Sequence, residues 1–325
     1  MIKLILLLTL IPMSLLSKEQ LNILTYDSFI SDWGPGPNIQ KSFESRCSCT
    51  INWITADSSG ALLSRVKLSK NKEGIDILMG LDDSLMSEAK ETNLFETHSI
   101  NSSTLSNLNI SWNDEIFLPF DYGFFSFIYN SFNLSNPPTS FDQLAQRNDI
   151  SIIIMDPRTS TPGLGLAKWI YQLKGDSSNE FWKSLQDQIV ITAKSWSDGY
   201  GLFLEGEADI VLSYTTSPAY HAIAEGDETY KAMIFEEGHA EQIEVLAILK
   251  NSQNKQLADQ FMQFSISSGF QNFIPNGNWM YPVIDEVEGI ESFYRYAPKP
   301  SNLDRIFGST SDRTTWIKSW SSSIE

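Results

Sequence analysis

Cysteine and histidine are scarce in this chain of 325 residues, which has two of the former and three of the latter. Cys47 and Cys49 alone cannot build a disulfide scaffold or a four-ligand zinc site. His98, His221 and His239 stand in unrelated settings. There is no His-Glu-x-x-His helix, no Gly-x-Ser-x-Gly elbow and no phosphate-loop lysine. Gly163-Leu164-Gly165 lacks the third glycine of a dinucleotide fingerprint. No catalytic set and no metal site therefore stand out, and no cofactor is expected. Positive charge is short too: 23 Lys+Arg face 40 Asp+Glu, a net charge of −17. Phosphate backbones repel so acidic a surface, which argues against nucleic acid as a partner. Beyond the N-terminus no segment approaches the ~18 consecutive apolar residues of a membrane-spanning helix. No internal repeat or low-complexity linker breaks the chain. The 42% hydrophobic and 19% charged residues are ordinary globular values, so disorder, collagen and coiled coil drop out.

The first segment, MIKLILLLTLIPMSLLS, has Lys3, an apolar run from Leu4 to Ile11 and small Ser14 and Ser17, before polar KEQ at 18–20. That pattern reads as a signal peptide over 1–17. Its removal takes Lys3 away and shifts the net charge from −17 to −18. No cysteine follows the apolar run, so no lipid anchor is expected. Export places Cys47-Ser48-Cys49 in an oxidising compartment. A bridge there closes a very small ring, and both a bridged and a reduced structural pair stay open. Redox chemistry is disfavoured, since its usual spacing is Cys-x-x-Cys.

Short apolar runs alternate with helical periodicity along the chain. Strands are expected at Leu21–Thr25, Thr50–Thr55, Ile75–Met79, Phe124–Tyr129, Ile150–Met155, Ile189–Thr192 and Asp209–Ser213. Helices are expected at Gly36–Ser45, Gly60–Ser69, Ser84–Thr92, Ser140–Arg147, Gly163–Leu173, Asn179–Gln188, Gly199–Glu205 and Pro218–Ala224. The last third adds Gln256–Ser265, Gly269–Ile274 and Thr314–Ser322. Runs such as ISIIIMD suit strands covered on both faces, and the alternation predicts an α/β fold.

Two features point to a ligand. In Ser160-Thr161-Pro162-Gly163, a hydroxyl cap and an early proline follow a buried strand. A helix starting there offers free backbone N–H groups and a positive dipole end to an anion. The second feature is aromatic residues beside turn residues. They occur in Tyr26-Asp27-Ser28-Phe29 with Asp32-Trp33-Gly34, in Ser195-Trp196-Ser197, in Tyr214–Tyr220, and in the loop Asn276–Pro282. Ligands of α/β sheets bind outside the carboxyl ends of strands. Tyr and Trp faces gathered there suit a flat or cationic ligand, and Asp27, Asp32 and Asp121 add a favourable field. His221 follows one such loop and reads as a solvated surface histidine.

The runs TYDSF (25–29), DWGPGP (32–37), PFDYG (119–123), DPRTSTPGLGL (156–166), YGLFLEGEADIVLSYTTSPAYH (200–221), EEGH (236–239) and GNWMYPV (277–283) carry a resemblance. In them the chain resembles the periplasmic thiamine-binding proteins of bacterial ABC transporters, among the type II solute-binding proteins, and it shares their Cys-x-Cys. The resemblance implies a two-lobed fold with the ligand in the cleft between the lobes. Lobe 1 would take 18–119 plus 243–290, and lobe 2 would take 120–242 plus 291–325. It implies contacts to thiamine, thiamine monophosphate or thiamine diphosphate from Ser58, Ser59, Ser160, Thr161, Trp196, Tyr214, Thr215, Thr216 and Ser217. Aromatic walls would come from Tyr26, Trp33, Tyr220 and Trp279. It further implies a periplasmic location, no catalysis, and an inner-membrane ABC permease with its ATPase as partner. The alternatives are a ferric-ion or other small-solute binder of the same fold, and a secreted thiamine-degrading enzyme. The first wants paired tyrosines, whereas Tyr214 and Tyr220 are six apart. The second wants a cysteine in the cleft.

Overall fold

The computed structural model describes residues 18–70, 72–108, 111–300 and 313–324. The expected signal peptide, 1–17, lies outside them. Ten strands form one sheet: β1 (Glu19–Tyr26), β2 (Cys49–Ala56), β3 (Ile77–Asp82), β4 (Leu118–Asn130), β5 (Ile152–Met155), β6 (Ile189–Ala193), β7 (Ile210–Tyr214), β8 (Tyr230–Ala232), β9 (Glu241–Ile248) and β10 (Tyr281–Pro282). Their order is β2-β1-β3-β9-β4-β7-β5-β6, with β8 and β10 also paired to β4. β1 runs parallel to β2 and β3, and β5 runs parallel to β6 and β7. β9 and β4 are antiparallel to their neighbours and join these two parallel sets.

β4 changes partner along its length. Leu118–Phe124 pairs with β9, and Phe125–Tyr129 pairs with β7. Thirteen residues make it long enough to serve both sets. The fold is therefore the expected α/β architecture of two lobes, joined by long antiparallel strands.

The helices are α1 (Gly36–Glu44), α2 (Ser59–Ser69), α3 (Met86–Glu91), α4 (Phe141–Ala145), α5 (Thr161–Lys174), α6 (Ser178–Leu185), α7 (Trp196–Leu204), α8 (Ser217–Tyr220), α9 (Lys255–Ser265), α10 (Ser268–Gln271), α11 (Ile290–Tyr296) and α12 (Arg313–Ile324). They cover the sheet, so β3 and β5 are buried along their whole length, as their unbroken apolar runs require. Phe29, Phe43, Phe261, Phe264 and Phe270 build one aromatic core, and Phe127, Phe141, Trp169 and Phe235 build the other. Such edge-on and tilted ring pairs add about 0.5–1.5 kcal/mol each beyond area burial.

All seven expected strands exist, with ends shifted by a few residues. β8, β9 and β10 were not expected. β9 is buried from Gln242 to Ile248, so it shows no alternation. The expected helix Pro218–Ala224 is instead α8 followed by a π turn over His221–Glu225. The expected loop Asn276–Pro282 holds the end of a second π turn, Ile274–Asn278, and then β10. Cys47 and Cys49 are joined by a disulfide at the amino end of β2, away from the strand ends that carry the site.

Candidate ligand-binding cleft

The parallel strands end on one side. Tyr26 closes β1, Ala56 leads to Ser58, Asp82 closes β3, Met155 leads to Ser160, Ala193 leads to Trp196, and Tyr214 closes β7. Chain topology alone thus brings every expected strand-end cluster to the cleft side.

One end of the cleft is built from helix starts. Ser58 caps α2 by accepting from the Ala61 N–H at 3.3 Å. The backbone N–H of Ser59 donates across the cleft to Thr161 Oγ1 at 3.3 Å. Ser59 Oγ is spent elsewhere, on the Asp82 backbone N–H at 2.6 Å. Ser160 departs from the expectation. It holds the N-cap position of α5, but its side chain makes no capping bond, and α5 begins at Thr161 rather than Gly163. Its hydroxyl is buried without a partner while the residue lines a small cavity with Ser58, Ser59, Gly60 and Thr161. The hydroxyl that sequence assigns to capping is therefore available to a ligand.

Aromatic residues form the rest. Trp196, the first residue of α7, donates from Nε1 to Ser213 Oγ at 2.8 Å, and Ser213 Oγ bonds Ser217 Oγ at 2.7 Å. The Tyr214 N–H donates to the same Ser217 hydroxyl at 3.3 Å. Trp196 stacks on Tyr200, whose hydroxyl meets His221 Nε2 at 2.9 Å. His221 is fully buried, stacked on Tyr230, and bonded through Nδ1 to Glu225 at 2.6 Å. The solvated-surface reading of His221 was wrong: the π turn folds the ring inward behind Trp196. Burial lowers its pKa, and it holds the wall rather than touching the cleft. Tyr214 stacks on Phe125 at 5.2 Å between centroids. Thr215 and Thr216 are wholly buried. Thr215 Oγ1 meets Tyr281 OH at 3.3 Å and is thereby engaged within the fold, whereas Thr216 Oγ1 is buried without a partner, as Ser160 Oγ is.

Tyr220 and Trp279 meet edge to face at 5.4 Å. Trp279 has φ of 55°, a left-handed backbone that a bulky residue adopts only at a cost. Trp33 is 53% exposed, together with exposed Asp32, and so sits at a rim rather than in a wall. The Tyr26 ring packs against β3, where Gly80 has φ of 91° at a bulge. A Cβ on Gly80 would lie 2.5 Å from the Tyr26 ring, so only glycine admits it.

The cleft floor carries an acidic row that the sequence reading missed, apart from Asp121. Asp82 of β3 pairs with Glu244 of β9, and Glu244 pairs with Asp121 of β4. All three are at least nine-tenths buried. Tyr26 OH donates to Glu244 at 2.6 Å, Asn278 Nδ2 donates to Asp121 at 2.6 Å, and Gln242 Nε2 donates to Glu244 at 3.1 Å. Tyr214 OH donates to Gln242 at 2.8 Å. Burial pushes the pKa of Glu244 up to about 7 and that of Asp82 up to about 6, and raises that of Asp121 strongly with Glu244 facing it. Burial and a neighbouring carboxylate thus disfavour the ionised form of both Asp121 and Glu244. The row is spread along three strands; among the described residues no three His, Cys, Asp or Glu side chains converge as a metal site would need. Asp27 and Asp32 are exposed and lie outside this network. The only sequence signal for Glu244 was the apolar run around it, EQIEVLAI, which lacks a turn motif.

Residues 72–298 match the family model described as bacterial extracellular solute-binding protein. The thiamine-binding periplasmic protein of Escherichia coli (strain K12) is 40% identical over 311 residues, covering 95% of this chain and 94% of that one. A solved structure titled periplasmic thiamin binding protein superposes with a TM-score of 0.88 at 39% identity, covering 95% of this chain and 97% of the other. The ferric binding protein from Campylobacter jejuni superposes with a TM-score of 0.74 at 19% identity, covering 93% of this chain and 98% of the other, a likeness of fold alone. With most of its length matched and a two-lobed cleft lined at the strand ends, the chain belongs to the bacterial extracellular solute-binding protein family and is a binding protein rather than an enzyme.

Proposed function

We propose that this protein captures thiamine, and also thiamine monophosphate and thiamine diphosphate, in the periplasm and delivers them to an ABC permease with its ATPase. The observation that carries the reading is the Tyr220–Trp279 pair, which brings a ring from the end of α8 against a ring from the turn before β10. Strain at Trp279 is retained where the ring itself is needed. Thiamine has a flat pyrimidine and a permanently cationic thiazolium, which tyrosine and tryptophan faces bind by stacking and cation–π attraction. Trp196, Tyr26 and Tyr214 extend the walls, the buried acids favour the positive ring, and Ser160 and Thr161 face the phosphate. The names of the relatives near 40% identity support the same ligand. In this reading lobe 1 comprises 18–119 plus 243–290 and lobe 2 comprises 120–242 plus 291–325. The partner change of β4 at Phe124 and Phe125 supports a crossing near there.

Iron is the weaker alternative, since Tyr214 OH is already committed to Gln242. A thiamine-cleaving cysteine is disfavoured because both cysteines are in the disulfide. Calorimetric titration of unfolded, stripped and refolded protein tests the reading. Thiamine is expected to bind and ferric citrate is not. Ferric uptake without thiamine binding would replace the proposal by the iron alternative.

A further inference from the structure

Arg313 is the first residue of α12, a helix packed on α5 and α6. Trp316 and Trp320 bury that helix, and the Arg158 guanidinium lies 5.1 Å over the Trp320 ring. From this anchored base Arg313 reaches the cleft. Its Nη2 donates to the Arg158 carbonyl at 3.3 Å, and it lies 3.3 Å from where a Cβ on Gly60 would stand. Gly60 is in the first turn of α2, across the cleft from α5. Arg313 therefore lines the same cavity as Ser59, Ser160 and Thr161, between two helix starts.

α2 and α5 have 11 and 14 residues, so each start presents a positive dipole end, although the Ser59 and Ala61 N–H groups of α2 are already engaged by Thr161 and Ser58. The Ser160 hydroxyl, on a residue 5% exposed, lines this cavity without a partner, and Arg313 Nε is likewise buried without one. Arg158, the neighbouring cation, is paired with Asp156 at 2.6 Å. Among the described residues no carboxylate pairs with Arg313. The one acid in the cavity lining, Asp82, is engaged by Ser84, whose backbone N–H donates to it at 2.9 Å. We propose that Arg313 is a specificity-determining residue for phosphorylated ligand: the C-terminal helix supplies a guanidinium that completes an anion pocket between the starts of α2 and α5. Arg313 lies outside residues 72–298, the span that the family model matches. The proposal rests on the thiamine reading for the ring end of the ligand but not for the anion end.

The test is calorimetric titration of thiamine and thiamine monophosphate into wild type, Arg313→Gln and Arg313→Lys, at low and high salt. Wild type is expected to prefer the phosphate ester, more so at low salt. Arg313→Gln should lose about tenfold in affinity for the ester and leave free thiamine within about twofold, since a hydrogen bond to a charged oxygen is at stake. Arg313→Lys keeps the charge without the planar fork and should fall between. Equal losses for both ligands would overturn the proposal and make Arg313 a structural link between helix and cleft; no loss for either would overturn it as well. Thermal protection of wild type and Arg313→Gln by inorganic pyrophosphate reads the anion end without the rings. Pyrophosphate protection that depends on Arg313, with no binding of any thiamine form, would uphold the anion pocket and overturn the thiamine reading alone.

Discussion

The Ser59 backbone N–H donates to Thr161 Oγ1 across the cleft at 3.3 Å, joining two helix starts 102 residues apart in sequence. Each is the first residue of its helix, and the two helices follow strands of the two different parallel sets, β2 and β5. On the proposed lobe division this bond joins the two lobes. A ligand that must touch both lobes at once favours this arrangement.

Thiamine is therefore expected to compact the protein in solution. Small-angle scattering of the stripped protein should show a smaller radius of gyration on adding thiamine, and an unchanged radius would contradict closure. Thr161→Ala removes the joining bond and should weaken all thiamine forms. Ser160→Ala should weaken the phosphate esters selectively, by about tenfold, for loss of a bond to a charged oxygen. Because Ser160 makes no capping bond, that variant should keep its thermal stability.

The ring contacts should act on every form of the ligand alike. Trp196→Ala or Trp279→Ala is expected to cost about 2 kcal/mol, roughly thirtyfold in affinity, for thiamine and its phosphates equally. Calorimetry on the three ligands checks this. A loss confined to the phosphates would place these rings away from the thiazolium and pyrimidine.

The acidic row makes stability depend on pH with a definite sign. Glu244 has a folded pKa of about 7, above its ordinary value, through burial. Its contribution is fully present below the ordinary glutamate range and is lost as pH rises toward 7. Asp82 and Asp121 act in the same direction. Half-buried His98 and buried His221 and His239 have pKa values lowered by burial and act oppositely over part of that range. The difference between wild type and Glu244→Gln isolates the row. From pH 5 to pH 8 the variant should gain about 1–3 kcal/mol relative to wild type in urea unfolding. A difference that stays flat would show that the Glu244 pKa is not raised in the folded protein. A bound thiazolium favours the ionised row, so wild-type affinity for thiamine should rise over the same range. Titrations in buffers of different ionisation heat should then show proton release.

Gly165 is a packing requirement for the wall. A Cβ there would lie 2.1 Å from Cζ of Phe125, the ring on which Tyr214 stacks. Gly165→Ala should cost about 1–3 kcal/mol and lower thiamine affinity through Tyr214. Gly201→Ala is the control: it lies in α7 with nothing within 4 Å of the added atom and should stabilise by up to about 1 kcal/mol. Thermal melts of the two variants should move in opposite directions.

The sequence by itself determined what depends on neighbours along the chain. Alternating apolar runs and helix starts gave the seven strands, most helices and the α/β class, because strand burial and capping are local choices. That Tyr26, Ser160, Trp196 and Tyr214 share one side of the sheet was legible because each sits at or just after the end of a parallel strand. Only the tertiary structure decided which residues meet. Asp121 and Glu244 are 123 positions apart and face each other through the β4–β9 register, which no local motif encodes. The same holds for His221, turned inward by a π turn onto Tyr200 and Tyr230, and for Ser160, whose hydroxyl was spared from capping. Arg313 reaches the cleft because α12 returns to pack on α5 and α6. Side-chain direction and long-range pairing are set by burial summed over the whole fold, so they exist only once the chain has closed on itself.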